Sequence, residues 1–208
     1  MISLFIDTSS SQIILAIVDD SNILSYINEE NDTTLSDRIF PLLEKSFNEA
    51  QIDFKMISTI YVVNGPGSFT GIRVGVTIAK TMAWALNIPI IPISSLEVIA
   101  STHYEGDYLI PYIDARRGFV FAGIYDNRLD VVEKDSHTKI SALITKLPKK
   151  SKFTLVGYDE IVSSYDRIKP EVDVLKVINK HKDDPKVNPH TLLPNYLKLT
   201  EAEENLKK

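Results

Sequence analysis

The order of the apolar segments is the feature that most constrains how this chain can fold. Three short segments rich in Ile, Leu and Val open the chain, and the polar turns between them predict a meander of three strands. Apolar residues then recur at the spacing of an amphipathic helix, and buried strands alternate with two further helices. The first half is therefore predicted as βββαβαβα, with strands at 3–7, 13–18, 23–27, 57–63 and 88–93 and helices at 35–50, 69–86 and 95–101.

The same order recurs, less cleanly, in the second half. Strands are predicted near 108–113, 119–125 and 129–132, a helix near 140–147, and strands near 153–156 and 172–177. An ungapped offset of 107 residues places Ile6-Asp7 on Ile113-Asp114 and Asp19 on Asp126. We therefore predict an α/β protein of two duplicated domains, the second reduced, at 1–102 and 103–190, followed by a segment at 191–208 that packs back on the first domain.

The composition excludes several classes of function. The chain has no cysteine, which excludes disulfides, thiolate nucleophiles, iron-sulfur clusters and cysteine-type zinc sites. Lys and Arg number 23 against 28 Asp and Glu, and the formal net charge of −5 disfavours extended binding of a phosphate backbone by this chain alone. The N-terminus lacks the pattern of a signal or transit peptide, and no segment has the apolar length of a membrane span. We predict a cytoplasmic protein with no membrane contact.

A glycine-rich segment joins the predicted strand at 57–63 to the helix at 69–86. Its sequence, Gly65-Pro66-Gly67-Ser68-Phe69-Thr70-Gly71, stands where backbone N–H groups can approach a phosphate at the positive end of a helix. It matches neither the Walker pattern nor the glycine pattern of dinucleotide-binding loops. A tight turn with Ser68 or Thr70 as the helix cap is therefore the favoured interpretation.

The turn after the first strand is a second candidate. In Asp7-Thr8-Ser9-Ser10, a carboxylate and three hydroxyls could hold a metal-bound nucleotide. The turn has no glycine, without which the backbone cannot approach a phosphate as closely, so a turn or cap role is favoured for Asp7. At the corresponding point of the second half, Asp114 precedes Arg116 and Arg117, which could contact a phosphate or a partner carboxylate, or could form a solvated turn.

Catalytic and metal sites find little support in the sequence. No two of the four histidines have the i, i+4 spacing that a helical metal site requires. Ser68 has Pro66 where the first glycine of a Gly-x-Ser-x-Gly turn would stand, which disfavours a serine hydrolase. We predict no catalytic, cofactor-binding or metal-binding residue, and no cofactor.

The helix at 69–86 is apolar around more of its circumference than one sheet face can cover. At about 100° per residue, its apolar side chains span an arc of about 200°. Small residues recur along it at i, i+4 spacing, and Trp84 lies on the polar side. Such an arc indicates burial against a second surface, either a partner or the first helix of the same chain. The candidate partner interface comprises Ile39, Leu43, Phe47, Gly71, Gly75, Ala79, Ala83 and Trp84.

Five segments of the chain form a recognisable set of motifs: IDTS at 6–9, GPGSFTGIR at 65–73, PISSLE at 92–97, DARR at 114–117 and PNYLK at 194–198. Together they resemble the TsaB (YeaZ) family. The resemblance covers nearly the whole chain, and GPGSFTGIR is its most specific part, although a related form occurs in the larger TsaD family. The length of the chain and the missing metal histidines favour TsaB, which is similar to a shortened paralogue of TsaD.

The resemblance implies an actin-like ATPase fold of the ribonuclease H-like kind and a part, with TsaD and the ATPase TsaE, in making threonylcarbamoyladenosine on tRNA. In that family TsaD transfers threonylcarbamoyl from its adenylate to the adenosine next to the anticodon, while TsaB is the non-catalytic member. The resemblance also implies that the chain pairs with a TsaD-like paralogue, or with itself when isolated, through its first two helices, and that it reaches tRNA only through the complex. One departure is visible, because the family often has His-Ser at the start of the first helix and this chain has Leu35-Ser36.

Two other classes stay open on the sequence: an actin-like ATP-dependent kinase and a glycoprotease-like peptidase. The kinase requires a phosphate loop that contains glycine. The peptidase requires a metal pair or an activated nucleophile. The sequence has neither pattern.

Overall fold

A computed structural model describes residues 1–31 and 35–198 of the chain. The first half has the predicted order βββαβαβα, with a short 3-10 turn at Phe54–Met56 before the fourth strand. Its elements are β1 (Ile2–Asp7), β2 (Gln12–Asp19), β3 (Asn22–Glu30), α1 (Leu35–Ala50), β4 (Thr59–Gly65), α2 (Phe69–Leu86), β5 (Ile90–Ser94) and α3 (Ser95–Ala100).

The second half has the order βββαββα among the described residues. Its elements are β6 (Tyr108–Asp114), β7 (Val120–Asp126), β8 (Val131–Thr138), α4 (Ile140–Ile144), β9 (Phe153–Val156), β10 (Arg167–Ile168) and α5 (Val174–His181). No helix separates β9 from β10, so this half is the reduced copy that the sequence predicts.

The two sheets share one connectivity. The first has the strand order β3-β2-β1-β4-β5, and the second has the order β8-β7-β6-β9-β10. In each sheet the central strand pairs antiparallel with the strand that follows it in the chain and parallel with the fourth strand. Asp7 and Asp114 end the two equivalent central strands. The predicted duplication is confirmed in this topology, whereas the domain boundaries at 102 and 190 stay predictions.

The bounds of the two long helices are as predicted, but the end of the second half is not. The strand predicted at 172–177 is wrong, because this segment enters the helix α5 at Val174. Its apolar residues alternate over a few positions, which resembles a strand, but Val174, Val177 and Ile178 also have helical spacing and are buried. Asp173 caps this helix by accepting a hydrogen bond from the backbone N–H of Lys176. The short strand β10 was not predicted, and β8 begins later than predicted and runs to Thr138.

The hydrophobic core lies on both faces of the first sheet. On one face, alternate residues of its strands pack against α1 and α2, and Ile6, Ile13, Ile39, Ile72 and Ala79 are fully buried there. On the other face, Phe5 and Ile14 pack with residues of α3 and α5 and with Tyr125 of β7. This second layer joins the two halves. Within residues 1–31 and 35–198, no helix combines the length and apolar character that a membrane crossing requires.

The segment at 187–198, called the C-terminal strap below, lies against the first half. Val187 forms an isolated antiparallel bridge with Ile90, and Leu192 is buried in the core beneath α2. The N–H of Asn195 donates a 2.7 Å hydrogen bond to the carbonyl oxygen of Asn64, beside Gly65. The strap therefore covers the junction between β4 and α2. The rest of the predicted segment, 199–208, lies outside the described residues.

Candidate functional site

A cleft of about 550 Å³ lies between the two halves, at the ends of β1 and β6. In a duplicated fold of this kind the two central strands bring their turns to one cleft, where a ligand would contact both halves. The lining includes the turn after β1, the start of α2 and residues of the second half, notably Ser9, Ser68, Arg116, Tyr158 and Asp159.

Asp7 is turned inward and holds the first of these turns. Its Oδ1 accepts hydrogen bonds from the backbone N–H of Ser9 at 2.8 Å and from the Ser9 hydroxyl at 2.7 Å. Asp7 is buried, and burial raises the pKa of its carboxyl although the bonds from Ser9 oppose that shift. The predicted turn role of Asp7 is confirmed.

The glycine-rich segment lies directly on this turn. Ser68 caps α2 by accepting a hydrogen bond from the N–H of Gly71, as predicted, and the N–H of Ser68 donates a 2.7 Å bond to the carbonyl oxygen of Ser9. A Cβ added to Gly67 would lie 2.2 Å from that same oxygen, and one added to Gly71 would lie 2.0 Å from the carbonyl oxygen of Thr8. The absence of a side chain at Gly67 and Gly71 therefore lets the backbone of the turn after β1 pack directly against the glycine-rich segment.

The equivalent turn of the second half has the same local geometry. Oδ1 of Asp114 accepts a 2.9 Å hydrogen bond from the N–H of Arg116, as Asp7 does from Ser9. Arg116 and Arg117 have left-handed backbone conformations, with φ of 67° and 54°, and both are exposed. Exposure fits both a solvated turn and contact with a phosphate or partner carboxylate, and Arg116 borders the cleft, so both alternatives stay open.

Sequence reasoning identified Asp114 and Arg116 of the second half, which line this cleft, but not Tyr158 and Asp159. The carboxylate of Asp159 accepts a hydrogen bond from the N–H of Asp114, which lies 45 residues earlier in the chain. Burial raises the pKa of the Tyr158 hydroxyl, and that hydroxyl has no hydrogen-bond partner among the described residues. Neither residue belongs to a recognisable motif, so only the folded chain brings them to the cleft.

The histidines and acids do not converge on a metal-binding geometry. In the described part of the chain, no three His, Asp or Glu side chains come together as a possible metal site. His181 instead lies between two carboxylates, with Nε2 2.9 Å from Oε2 of Glu97 and Nδ1 2.6 Å from Oδ2 of Asp184. Glu97 is on α3 and His181 is on α5, so this cluster ties the two halves together.

The structure corrects one part of the predicted partner interface. Ile39, Leu43, Gly71, Gly75, Ala79 and Ala83 are all buried within the chain itself. The turn at Thr8 lies against Gly71 and Gly75, and a Cβ on Gly75 would be 2.4 Å from Oγ1 of Thr8. Ala79 and Ala83 pack in the core of the first half. For these residues the second surface that the wide apolar arc requires is therefore supplied by the same chain.

Other side chains of α1 and α2 remain exposed. Phe40 is 64% exposed and Phe47 is half-buried, and on a helical projection both lie on the same flank of α1 as Leu43. Val74 and Ala85 lie on one flank of α2, whereas Trp84, 65% exposed, lies on another. Partner binding through these two helices stays a prediction, now resting on Phe40 and Phe47 of α1 and on the flank of α2 with Val74 and Ala85 rather than on the small residues. Trp84 does not share that flank.

The duplicated sheets and the cleft at their central strands define a protein of the actin-like ATPase fold. Comparisons with known proteins agree with this class. The family model for TsaD, tRNA N6-adenosine threonylcarbamoyltransferase, matches residues 28–173. The chain is 33% identical to the tRNA threonylcarbamoyladenosine biosynthesis protein TsaB of Bacillus subtilis, over 98% of this chain and 96% of that protein. The TsaB of Buchnera aphidicola subsp. Schizaphis graminum is 32% identical, over 75% of this chain and 78% of that protein.

Solved structures agree in fold. YeaZ from Pseudomonas aeruginosa superposes with a TM-score of 0.76 at 19% identity, covering 94% of this chain and all of that one. A Pseudomonas aeruginosa protein described as similar to peptidase YEAZ gives a TM-score of 0.81 at 19% identity, over 95% of this chain and 99% of that one. With the relatives above, the assignment is plain: this chain belongs to the TsaB (YeaZ) family.

Proposed function

We propose that this protein is the non-catalytic TsaB subunit of a tRNA-modifying complex. It pairs with a TsaD-type paralogue and acts with a TsaE-type ATPase in the cytoplasm. The paralogue transfers threonylcarbamoyl from threonylcarbamoyl-adenylate to N6 of the adenosine next to the anticodon, in tRNAs that read codons beginning with A. The names of the relatives, tRNA threonylcarbamoyladenosine biosynthesis protein TsaB, support the assignment to this pathway.

The observation that carries the non-catalytic assignment is the closed contact between the two loops of the first half. In an actin-like enzyme, a phosphate would need backbone N–H groups at the start of α2 or in the turn after β1. Here the N–H of Ser68 is bonded to Ser9, that of Gly71 is bonded to the Ser68 hydroxyl, and that of Ser9 is bonded to Asp7. Three of the N–H groups that could bind a phosphate therefore have partners within the chain.

The pairing surface in this proposal is the exposed flank of α1 and the adjoining flank of α2. Phe40 is a large apolar side chain in water, and Phe47 beside it is half-buried. Apolar groups of this kind at a helix surface are typical of an interface core. The same surface would hold two copies together when the protein is isolated and the TsaD-type paralogue when that partner is present.

Reconstitution of the reaction tests the proposal. A mixture of tRNA, ATP, threonine, bicarbonate, the enzyme that makes the adenylate, and the TsaD-type and TsaE-type partners should form modified nucleoside only when this protein is added. Mass spectrometry of digested tRNA provides the measurement. Full activity of the mixture without this protein would contradict the assignment.

Two variants test whether the protein acts as a non-catalytic subunit or as an enzyme. Asp7→Asn keeps an oxygen that can accept both bonds from Ser9 but removes the carboxylate, so the rate should stay within about twofold of wild type. Phe40→Glu should lower the rate at least about tenfold, because it places a charge in the proposed interface. A complex that assembles with Asp7→Asn but has lost nearly all activity would mean that the cleft is an active site.

A further inference from the structure

Two segments of this acidic protein contain no acidic residue. The chain has 28 Asp and Glu in total, yet none occurs at 54–96 or at 185–200. The first segment contains Lys55, Arg73 and Lys80, and the second contains Lys186 and Lys198. Each therefore has a positive formal charge, and the rest of the chain is correspondingly more negative than the total of −5 suggests.

The fold brings these two segments together. The ammonium group of Lys80, on α2, donates hydrogen bonds to the carbonyl oxygens of Leu192 at 2.9 Å and His190 at 3.4 Å, both on the C-terminal strap. Two depressions of about 380 and 540 Å³ lie along this seam. We call the surface formed by both depressions the basic groove; it includes Arg73, Lys80, Trp84, Lys186, His190 and Tyr196.

Exposed aromatic rings lie at both ends of the basic groove. At one end, the rings of Phe69 and Tyr196 stack with centroids 5.4 Å apart. The Arg73 guanidinium lies 3.7 Å from the centroid of Phe69, and its Nε donates a 2.9 Å hydrogen bond to the Tyr196 hydroxyl. At the other end, Trp84 is 65% exposed. Phe69 and Tyr196 are also exposed, by 46% and 41%.

The cations of the groove form no ion pairs with acids in the described part of the chain, although Lys186 also borders a depression lined by Asp20 and Asp183. No carboxylate lines either depression of the groove itself, and within residues 1–31 and 35–198 none forms an ion pair with Arg73, Lys80 or Lys186. On a helical projection Arg73, Lys80 and Trp84 fall within about 40° of one another, on a different flank of α2 from Val74 and Ala85. The basic groove and the proposed pairing surface are therefore separate.

We propose that the basic groove binds RNA directly, which in the assembled complex is the tRNA. This inference rests on the proposed function for the identity of the RNA. Cations attract phosphates, and exposed aromatic rings stack on unpaired bases, so a surface with both is suited to a single-stranded or looped RNA segment. An acidic protein segment would match the cations but would leave the aromatic rings at both ends without a specific role. The groove thus adds local affinity for RNA to a chain whose net charge opposes it.

Fluorescence anisotropy with a labelled tRNA transcript tests the proposal, both with the complex at physiological salt and with the isolated full-length protein at low salt. The double variant Arg73→Glu/Lys186→Glu should weaken binding at least about tenfold and reduce the salt dependence by about two phosphate contacts. The matched control, Lys134→Glu/Lys149→Glu, makes the same charge change at exposed positions of the second half and should bind within about twofold of wild type.

A second variant guards against a folding defect, because Arg73 also contacts the strap. Trp84→Ala removes an exposed ring, should leave the melting temperature unchanged, and should still weaken tRNA binding about threefold or more. Equal affinity and equal salt dependence of wild type and the double variant would overturn the proposal. So would a double variant that binds tRNA normally but no longer binds a partner protein, since the groove would then hold an acidic protein surface.

These outcomes are distinct from failure of the proposed function. Anisotropy needs no catalysis, and the measurement on the isolated protein needs no partner. If the reconstituted mixture makes modified nucleoside without this protein, the subunit assignment fails. The comparison of tRNA affinities still decides whether the basic groove binds RNA.

Discussion

Oγ1 of Thr8 donates a 2.7 Å hydrogen bond to the carbonyl oxygen of Gly71, 63 residues further along the chain. Both residues are buried, so the turn after β1 is held against the first turn of α2. A Cβ on Gly75, one turn later, would lie 2.4 Å from the same hydroxyl oxygen. Glycine is thus required at Gly71 and Gly75 by their contact with the turn after β1.

Gly75→Ala should destabilise the protein because its new methyl group overlaps Oγ1 of Thr8. Overpacking of this kind costs about 1–3 kcal/mol, and the better helix propensity of alanine offsets only about 1 kcal/mol of it. Denaturant unfolding should therefore show a net loss of up to about 2 kcal/mol. In the Thr8→Ala background the oxygen is absent, so Gly75→Ala should then be neutral or stabilising.

Gly71→Ala is the matched comparison for this pair of measurements on Gly75→Ala, with and without Thr8→Ala. Its Cβ would lie 2.0 Å from the backbone oxygen of Thr8, which no side-chain substitution removes. The loss of stability should therefore persist in the Thr8→Ala background. If Thr8→Ala relieved both alanine variants equally, the contact of α2 with the turn would not be the cause.

Local signals in the sequence predict most of the fold but not the contact between the turn after β1 and the glycine-rich segment. The periodicity of α1 and α2 gives their bounds, and Asp7 and Ser68 act as the turn and cap residues that their types favour. The apolar arc predicted for α2 is largely buried in the structure, but the sequence could not tell which surface covers it. At Gly71 and Gly75 that surface is the turn at Thr8, and the contact between Thr8 and Gly71 across 63 residues leaves no local pattern.

The error at 172–177 has a different physical origin. The four apolar residues among the six positions 172–177 fit both a short strand and one side of a short helix. The helix forms because Asp173 caps it and because Val174, Val177 and Ile178 are buried between the halves. The signal that could have found it was Asp173 before a run with helical spacing.

His181 should make the stability of the protein depend on pH. Burial lowers the pKa of His181, whereas the carboxylates of Glu97 and Asp184 raise it. Together the two carboxylates outweigh burial, so the pKa lies above its ordinary value of 6.5. A raised pKa in the folded state means that the stabilisation is fully present below about pH 6.5 and is lost as the pH rises through the folded value. His181→Gln should therefore cost about 1 kcal/mol or more at pH 6 and clearly less at pH 9, by denaturant unfolding.

The control for this pH dependence is His103→Gln, at an exposed position. It should change stability by less than about 0.5 kcal/mol at both pH values. A His181→Gln variant whose cost is equal at pH 6 and pH 9 would contradict the proposed ion-pair stabilisation and would indicate a packing role alone.

The isolated protein should bind magnesium-ATP weakly or not at all. The N–H of Ser68 is bonded to Ser9, and Gly67 admits that same carbonyl oxygen, so a phosphate would have to displace contacts within the chain. Titration calorimetry should give no heat of binding at tens of micromolar protein, with an actin-like kinase as the positive control. A dissociation constant in the low micromolar range, which corresponds to a binding free energy of about −8 kcal/mol, would contradict this prediction and would favour the kinase alternative.

The isolated protein should self-associate through α1 and α2, and Phe40→Glu should weaken that association. Phe40 is 64% exposed, and an apolar ring of this size is stabilised when a second copy covers it. A glutamate at the same position would be desolvated in the interface without a partner, so the dimer dissociation constant should rise at least about tenfold, or about 1.4 kcal/mol. Phe54→Glu is the matched control, because Phe54 is also exposed, by 47%, but lies on the 3-10 turn before β4. Light scattering at tens of micromolar should show wild type and Phe54→Glu as dimers and Phe40→Glu as a monomer; a monomeric wild type, or a dimeric Phe40→Glu, would mean that the pairing surface lies elsewhere.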